Sequence, residues 1–104
     1  MKFTINGTEY EGAKYDYNTH CDLKDMGVDI SKFTKNPEGI IRAYLAVSSG
    51  MDLRMAGNEI NEHLINGGNL DEIMETLADE VNNSGFFQRA KDNREAKKSA
   101  KKDE

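Results

Sequence analysis

The chain has 104 residues, 37% hydrophobic and 32% charged, with a formal net charge of −5. That supports one small domain with a modest core and excludes a deep, enclosed active site. Residues 1–87 carry 7 Lys and Arg against 15 Asp and Glu (net −8) and residues 88–104 carry 7 against 4 (net +3), so the acidic body argues against a nucleic-acid surface on the folded part.

Met1 to Glu11 predicts a β-hairpin. Met1, Phe3 and Ile5 alternate with Lys2 and Thr4, and Thr8 and Tyr10 alternate with Glu9 and Glu11. Between the runs sits Asn6-Gly7, the pair that suits the two positive φ angles of a type I′ turn. A lone hairpin is marginal in water, so it should lie on the helices or on a partner's sheet. Gly12 to Tyr17 has no clear pattern and reads as a connector. Asn18 to Met26 predicts a short helix capped by Asn18 and stopped by Gly27, with Leu23 and Met26, and His20 or Cys21, inward. Val28, Ile30 and Phe33 follow in a loop that those three side chains should pin down.

Asn36-Pro37 opens the next predicted helix. Asn36 caps it, and Pro37 takes the first helical position, where its missing N–H costs nothing. The helix carries Ile40, Ile41, Tyr44, Leu45 and Val47, and Gly50 ends it. Asp52 caps a third, with Leu53, Ala56, Ile60 and Leu64 on one face and Gly67-Gly68 as its end. Gly57 inside it costs about 1 kcal/mol relative to Ala, which suggests close approach of a neighbouring helix.

Asn69 to Asn83 is the stretch around which the rest is expected to be organised. Leu70, Ile73, Met74, Leu77, Ala78 and Val81 recur at helical spacing. Asn69 with Glu72 predicts a capping-box start. Asp71, Glu75, Asp79 and Glu80 make the opposite face acidic. The short Gly-Gly link predicts that this helix and the preceding one form a helical hairpin. Ser84-Gly85-Phe86-Phe87 follows, with two aromatic residues that either close the core or form an exposed anchor. After Arg89 the composition is charged and lacks aromatic and β-branched residues, which predicts a disordered tail over 89–104 behind a single domain at 1–88.

Catalytic and metal patterns are weak. His20 and Cys21 are adjacent and would point about 100° apart on a helix. His63 follows Glu59 by four residues, which allows a surface pair worth a few tenths of a kcal/mol. Ser48, His63 and Asp52 make a triad only on paper, since no strand-to-helix elbow surrounds the serine. Asn66-Gly67-Gly68-Asn69 lacks the Lys-Ser/Thr of a phosphate loop. No cofactor or metal site is expected. The longest apolar run, Ala43 to Val47, is too short to span a membrane. No basic stretch followed by an apolar block predicts a signal peptide. The single Cys21 excludes an internal disulfide and fits a reducing compartment.

Three phrases together carry a resemblance: the Met1-Lys2-Phe3-Thr4-Ile5-Asn6-Gly7 opening, the Gly67-Gly68-Asn69-Leu70-Asp71-Glu72 helix start, and Ser84-Gly85-Phe86-Phe87 before a Lys-rich tail. Over residues 1 to about 90 the chain resembles the tail assembly chaperones of long-tailed phages and prophages of Gram-positive bacteria. The resemblance implies a small, mainly α fold and no enzymatic activity. It implies a viral protein of the host-cell cytoplasm that binds the long tape measure protein and keeps it soluble while tail tube subunits polymerise. The tape measure protein is then the partner, with the tail tube protein and a second copy of this chain as further candidates. Phe86 and Phe87 are the expected anchors, with Leu64 and Ile65 beside the Gly67-Gly68 turn as weaker ones. The alternative is another structural phage protein, a head–tail connector or tail terminator component, which predicts a stable ring.

Overall fold

The computed structural model describes residues 1–85. Strands β1 (Lys2–Ile5) and β2 (Thr8–Glu11) form an antiparallel hairpin with Phe3 opposite Tyr10 and Ile5 opposite Thr8. Helices α1 (Tyr17–Asp25), α2 (Pro37–Ser49), α3 (Leu53–Ile65) and α4 (Asp71–Asn82) follow, with a short 3₁₀ segment at Ile30–Lys35 before α2. The domain is mainly helical, with one two-stranded hairpin at its start.

The hairpin turn is the one the sequence specifies. Asn6 has φ +51° and Gly7 φ +78°, as a type I′ turn requires. Phe3 and Ile5 are buried, and the hairpin lies on the protein's own helices, β1 on α3 and α4 and β2 on α2.

The centre of the fold is α2, not the stretch at Asn69. Helix α2 buries Ile40, Ile41, Ala43, Tyr44, Leu45 and Ala46 and packs against α1, α3, α4, β2 and the 3₁₀ segment. A helix apolar on most of its circumference must be surrounded, whereas a one-striped helix such as α4 can only cover something else. Asn36 caps α2 through Gly39 N–H at 3.2 Å, and Gly50 ends it at φ +82°.

The buried side of α4 differs from its apolar stripe. Ile73, Thr76 and Leu77 are buried, while Met74 is 38% exposed and Ala78 is exposed. Thr76 turns inward because its methyl meets the chain at Gly12. A Cβ on Gly12 would stand 2.4 Å from that methyl and 2.7 Å from the Tyr44 hydroxyl oxygen. Its hydroxyl donates to the Glu72 carbonyl at 2.9 Å, so no polar group is stranded.

Two helix caps, one loop and one pairing differ from expectation. Helix α1 is capped by Asp16, whose carboxylate accepts from Thr19 N–H at 2.9 Å. A charged acceptor two residues before Asn18 makes the stronger cap. Leu23 is buried as expected, with Met26 half-buried. At α4 the cap position is Leu70. Asn69 sits one residue too early and accepts from Asp71 N–H at 3.0 Å, so Asn69 and Glu72 form no capping box. Val28, Ile30 and Phe33 do pin their loop, but as a 3₁₀ segment kinked at Lys32. Helices α3 and α4 form no packed hairpin. Each places its apolar residues on α2 and β1 instead, across a link that turns at Gly67 with φ +91°.

The patternless connector is held by side chains from distant elements. Tyr44 Oη donates to the Ala13 carbonyl at 2.8 Å, and Ser48 Oγ accepts Ala13 N–H at 3.0 Å. Ser84 Oγ donates to the Tyr15 carbonyl. The expected boundary at residue 88 and the tail over 89–104 lie outside the described residues.

Candidate functional site

The paper triad is not assembled. Asp52 caps α3 through Met55 N–H at 2.8 Å, and Ser48 is engaged with Ala13. His63 stands eleven residues beyond Asp52 on α3, roughly 16 Å along the helix axis. His20 Nδ1 lies 2.6 Å from Tyr15 Oη. Among the described residues no group of three or more His, Cys, Asp or Glu could hold a metal ion.

His63 has a structural task. Its Nδ1 accepts the backbone N–H of Asn6 at 2.9 Å, and its Nε2 lies 2.8 Å from the Asn69 carbonyl. An acceptor at Nδ1 puts the proton on Nε2, where it donates to that carbonyl. Glu59 does not pair with His63. Its carboxylate and that of Glu62 each accept from Asn6 Nδ2 at 2.9 Å. Gly68 lies flat against the imidazole, since a Cβ there would be 2.5 Å from the ring. The Asn-Gly-Gly-Asn phrase is therefore a clasp over His63.

The surface candidates fare differently. Leu64 is 46% exposed and Ile65 74% exposed, consecutive in sequence at the end of α3. Leu64 also lines an open groove between α2 and α3, of about 400 Å³. Ile41, Ile60 and Leu70 share that lining, with Arg42, Gly57 and Glu38. A second, smaller groove of about 240 Å³ runs beside α4, lined by Ile30, Phe33, Met74, Leu77, Ala78 and Val81. Its exposed wall is the part of the Asn69 stripe that Thr76 displaced from the core. Phe86 and Phe87 lie outside the described residues.

Sequence reasoning missed both grooves. It placed Ile41, Ile60 and Leu70 on apolar helix faces and gave Arg42 no role. The available signal was an arginine set among the apolar residues of α2, opposite a glycine in α3. Among the described residues, no helix is long and apolar enough to cross a membrane.

Compared with models of known protein families, with curated proteins and with solved structures, the chain matches none.

Proposed function

We propose that this chain is a tail assembly chaperone of a long-tailed phage or prophage. It is a binding protein and not an enzyme. It takes an apolar helical stretch of the tape measure protein and keeps that partner soluble in the host-cell cytoplasm until tail tube subunits polymerise around it. The observation that carries the reading is the exposed pair Leu64 and Ile65 beside an open apolar groove. Exposed apolar area of this kind on a small acidic body suits a helix laid in a groove. The phrases shared with the family support it from the sequence side. The acidic surface selects and orients the partner more than it adds affinity. Phe86 and Phe87 are the aromatic anchors proposed from sequence.

Co-expression tests the proposal. A tape measure protein that is insoluble alone should become soluble with this chain present and co-elute with it on gel filtration. If it stays insoluble and no complex survives, the reading is wrong. A complex that survives Phe86→Ala with Phe87→Ala, and also Leu64→Ser with Ile65→Ser, leaves the function standing and removes these contacts.

A further inference from the structure

We infer that the α2–α3 groove receives an apolar helical segment bearing a carboxylate, and that Arg42 pairs with that carboxylate. The inference rests on the chaperone reading and names the chemistry that its partner must present. Arg42 is one of only 7 cations against 15 acids in residues 1–87. It is exposed and lines the groove. Its aliphatic stem lies over Gly57, where a Cβ would be 3.3 Å from Arg42 Cδ. The missing side chain thus lets the stem lie against α3 while the charged head stays available. Among the described residues no carboxylate pairs with it. Glu38 stands one turn earlier on α2 at the same groove, yet forms no ion pair with it.

Charge complementarity selects the occupant. The excess of acid repels a carboxylate from most of this surface, so an acidic side chain on an apolar helix is drawn to the guanidinium in the groove. The apolar floor of Ile41, Ile60 and Leu70 excludes water from around the pair, which strengthens it. A guanidinium can hold the carboxylate bidentately, which fixes the register of the bound helix. Leu64 lines the groove, while the exposed Ile65 follows it in sequence and lies outside the lining. An open groove walled by two helices suits a helical segment with anchors one turn apart.

The test uses the full chain and the tape measure protein, with affinity measured by titration calorimetry on the purified components. Arg42→Glu should weaken the complex roughly ten-fold or more, as expected for reversing one member of a desolvated pair. Arg42→Lys should recover part of the affinity. Arg54→Glu, an equal charge reversal at an exposed α3 position that does not line the groove, should leave binding within about two-fold. Circular dichroism and urea melts of all three should match the parent. If Arg42→Glu binds as tightly as the parent, the inference falls while the chaperone reading stands. If the parent forms no complex, both fall. If the chain alone forms a dimer that Arg42→Glu dissociates, the groove belongs to a second copy and the inference is overturned.

Discussion

The backbone N–H of Asn6 donates to His63 Nδ1 at 2.9 Å, across 57 residues of sequence. One imidazole thereby fixes the hairpin turn on its Nδ1 side and the α3–α4 link on its Nε2 side. His63→Ala leaves the Asn6 N–H and the Asn69 carbonyl without this partner. A loss of about 1–3 kcal/mol is expected, read as a lowered urea midpoint at unchanged m-value. Nitrogen NMR shifts of the parent should show the Nε2–H tautomer, and the Nδ1–H tautomer would contradict the geometry.

Gly68→Ala tests the same clasp from the other side. A Cβ there falls 2.5 Å from the imidazole, so ring or link must move at a cost of about 1–3 kcal/mol. In the His63→Ala background the clash is gone. The second substitution should then cost much less, and a double-mutant cycle measures the difference.

Gly12→Ala should be more damaging than an ordinary connector substitution. The new methyl would meet Thr76 Cγ2 at 2.4 Å and Tyr44 Oη at 2.7 Å, between two helices that cannot both retreat. About 1–3 kcal/mol is expected from overpacking. Thr76→Ser removes the nearer methyl and should restore part of the loss. Equal stability of Gly12→Ala and the parent would show that the connector is not gripped between α2 and α4.

Leu77 and Met74 lie on one sequence stripe but should respond differently. Leu77 is 3% exposed and Met74 38%. Leu77→Ala should cost about 2–5 kcal/mol, while Met74→Ala should stay within about 1 kcal/mol. A Leu77→Ala change below about 0.5 kcal/mol in a urea melt would place that side chain outside the core.

Alkaline pH should destabilise the fold through its tyrosines. Burial, and then the charge of Asp29, pushes Tyr15 up to about 12 from an ordinary value of 10.0. Burial, and then Glu80, raises Tyr44 as well. Because the folded values are raised, the unfolded chain gives up its phenolic protons first. The stabilisation is complete below pH about 10 and is lost as the pH climbs towards about 12. Urea melts across that range should show a falling midpoint. Tyr44→Phe should flatten the fall while losing about 0.5–1.5 kcal/mol at neutral pH, because the bond to the Ala13 carbonyl goes.

Local signals carried the secondary structure. Asn6-Gly7 specified the hairpin because few residue pairs accept two positive φ angles. Asn36-Pro37, Gly50 and Asp52 bounded α2 and α3 because caps and stops act within one turn. The helical spacing within each apolar stripe identified α2, α3 and α4 for the same reason: neighbours at i+3 and i+4 share a face whatever lies beyond them. Leu64 and Ile65, at the end of α3 beside a Gly-Gly turn, are both exposed in the fold. Which stripe stands at the centre was not legible, since centrality depends on how many elements surround a helix. Tertiary structure gave that place to α2. It turned Thr76 inward and Met74 outward, because only the fold brings Gly12 against α4. It converted His63 from a surface partner of Glu59 into a clasp on Asn6 and Asn69, a contact that spacing along one helix cannot reveal. It also set Arg42 over Gly57 in a groove, because the approach of α2 to α3 is fixed by packing across the core and not by either helix alone.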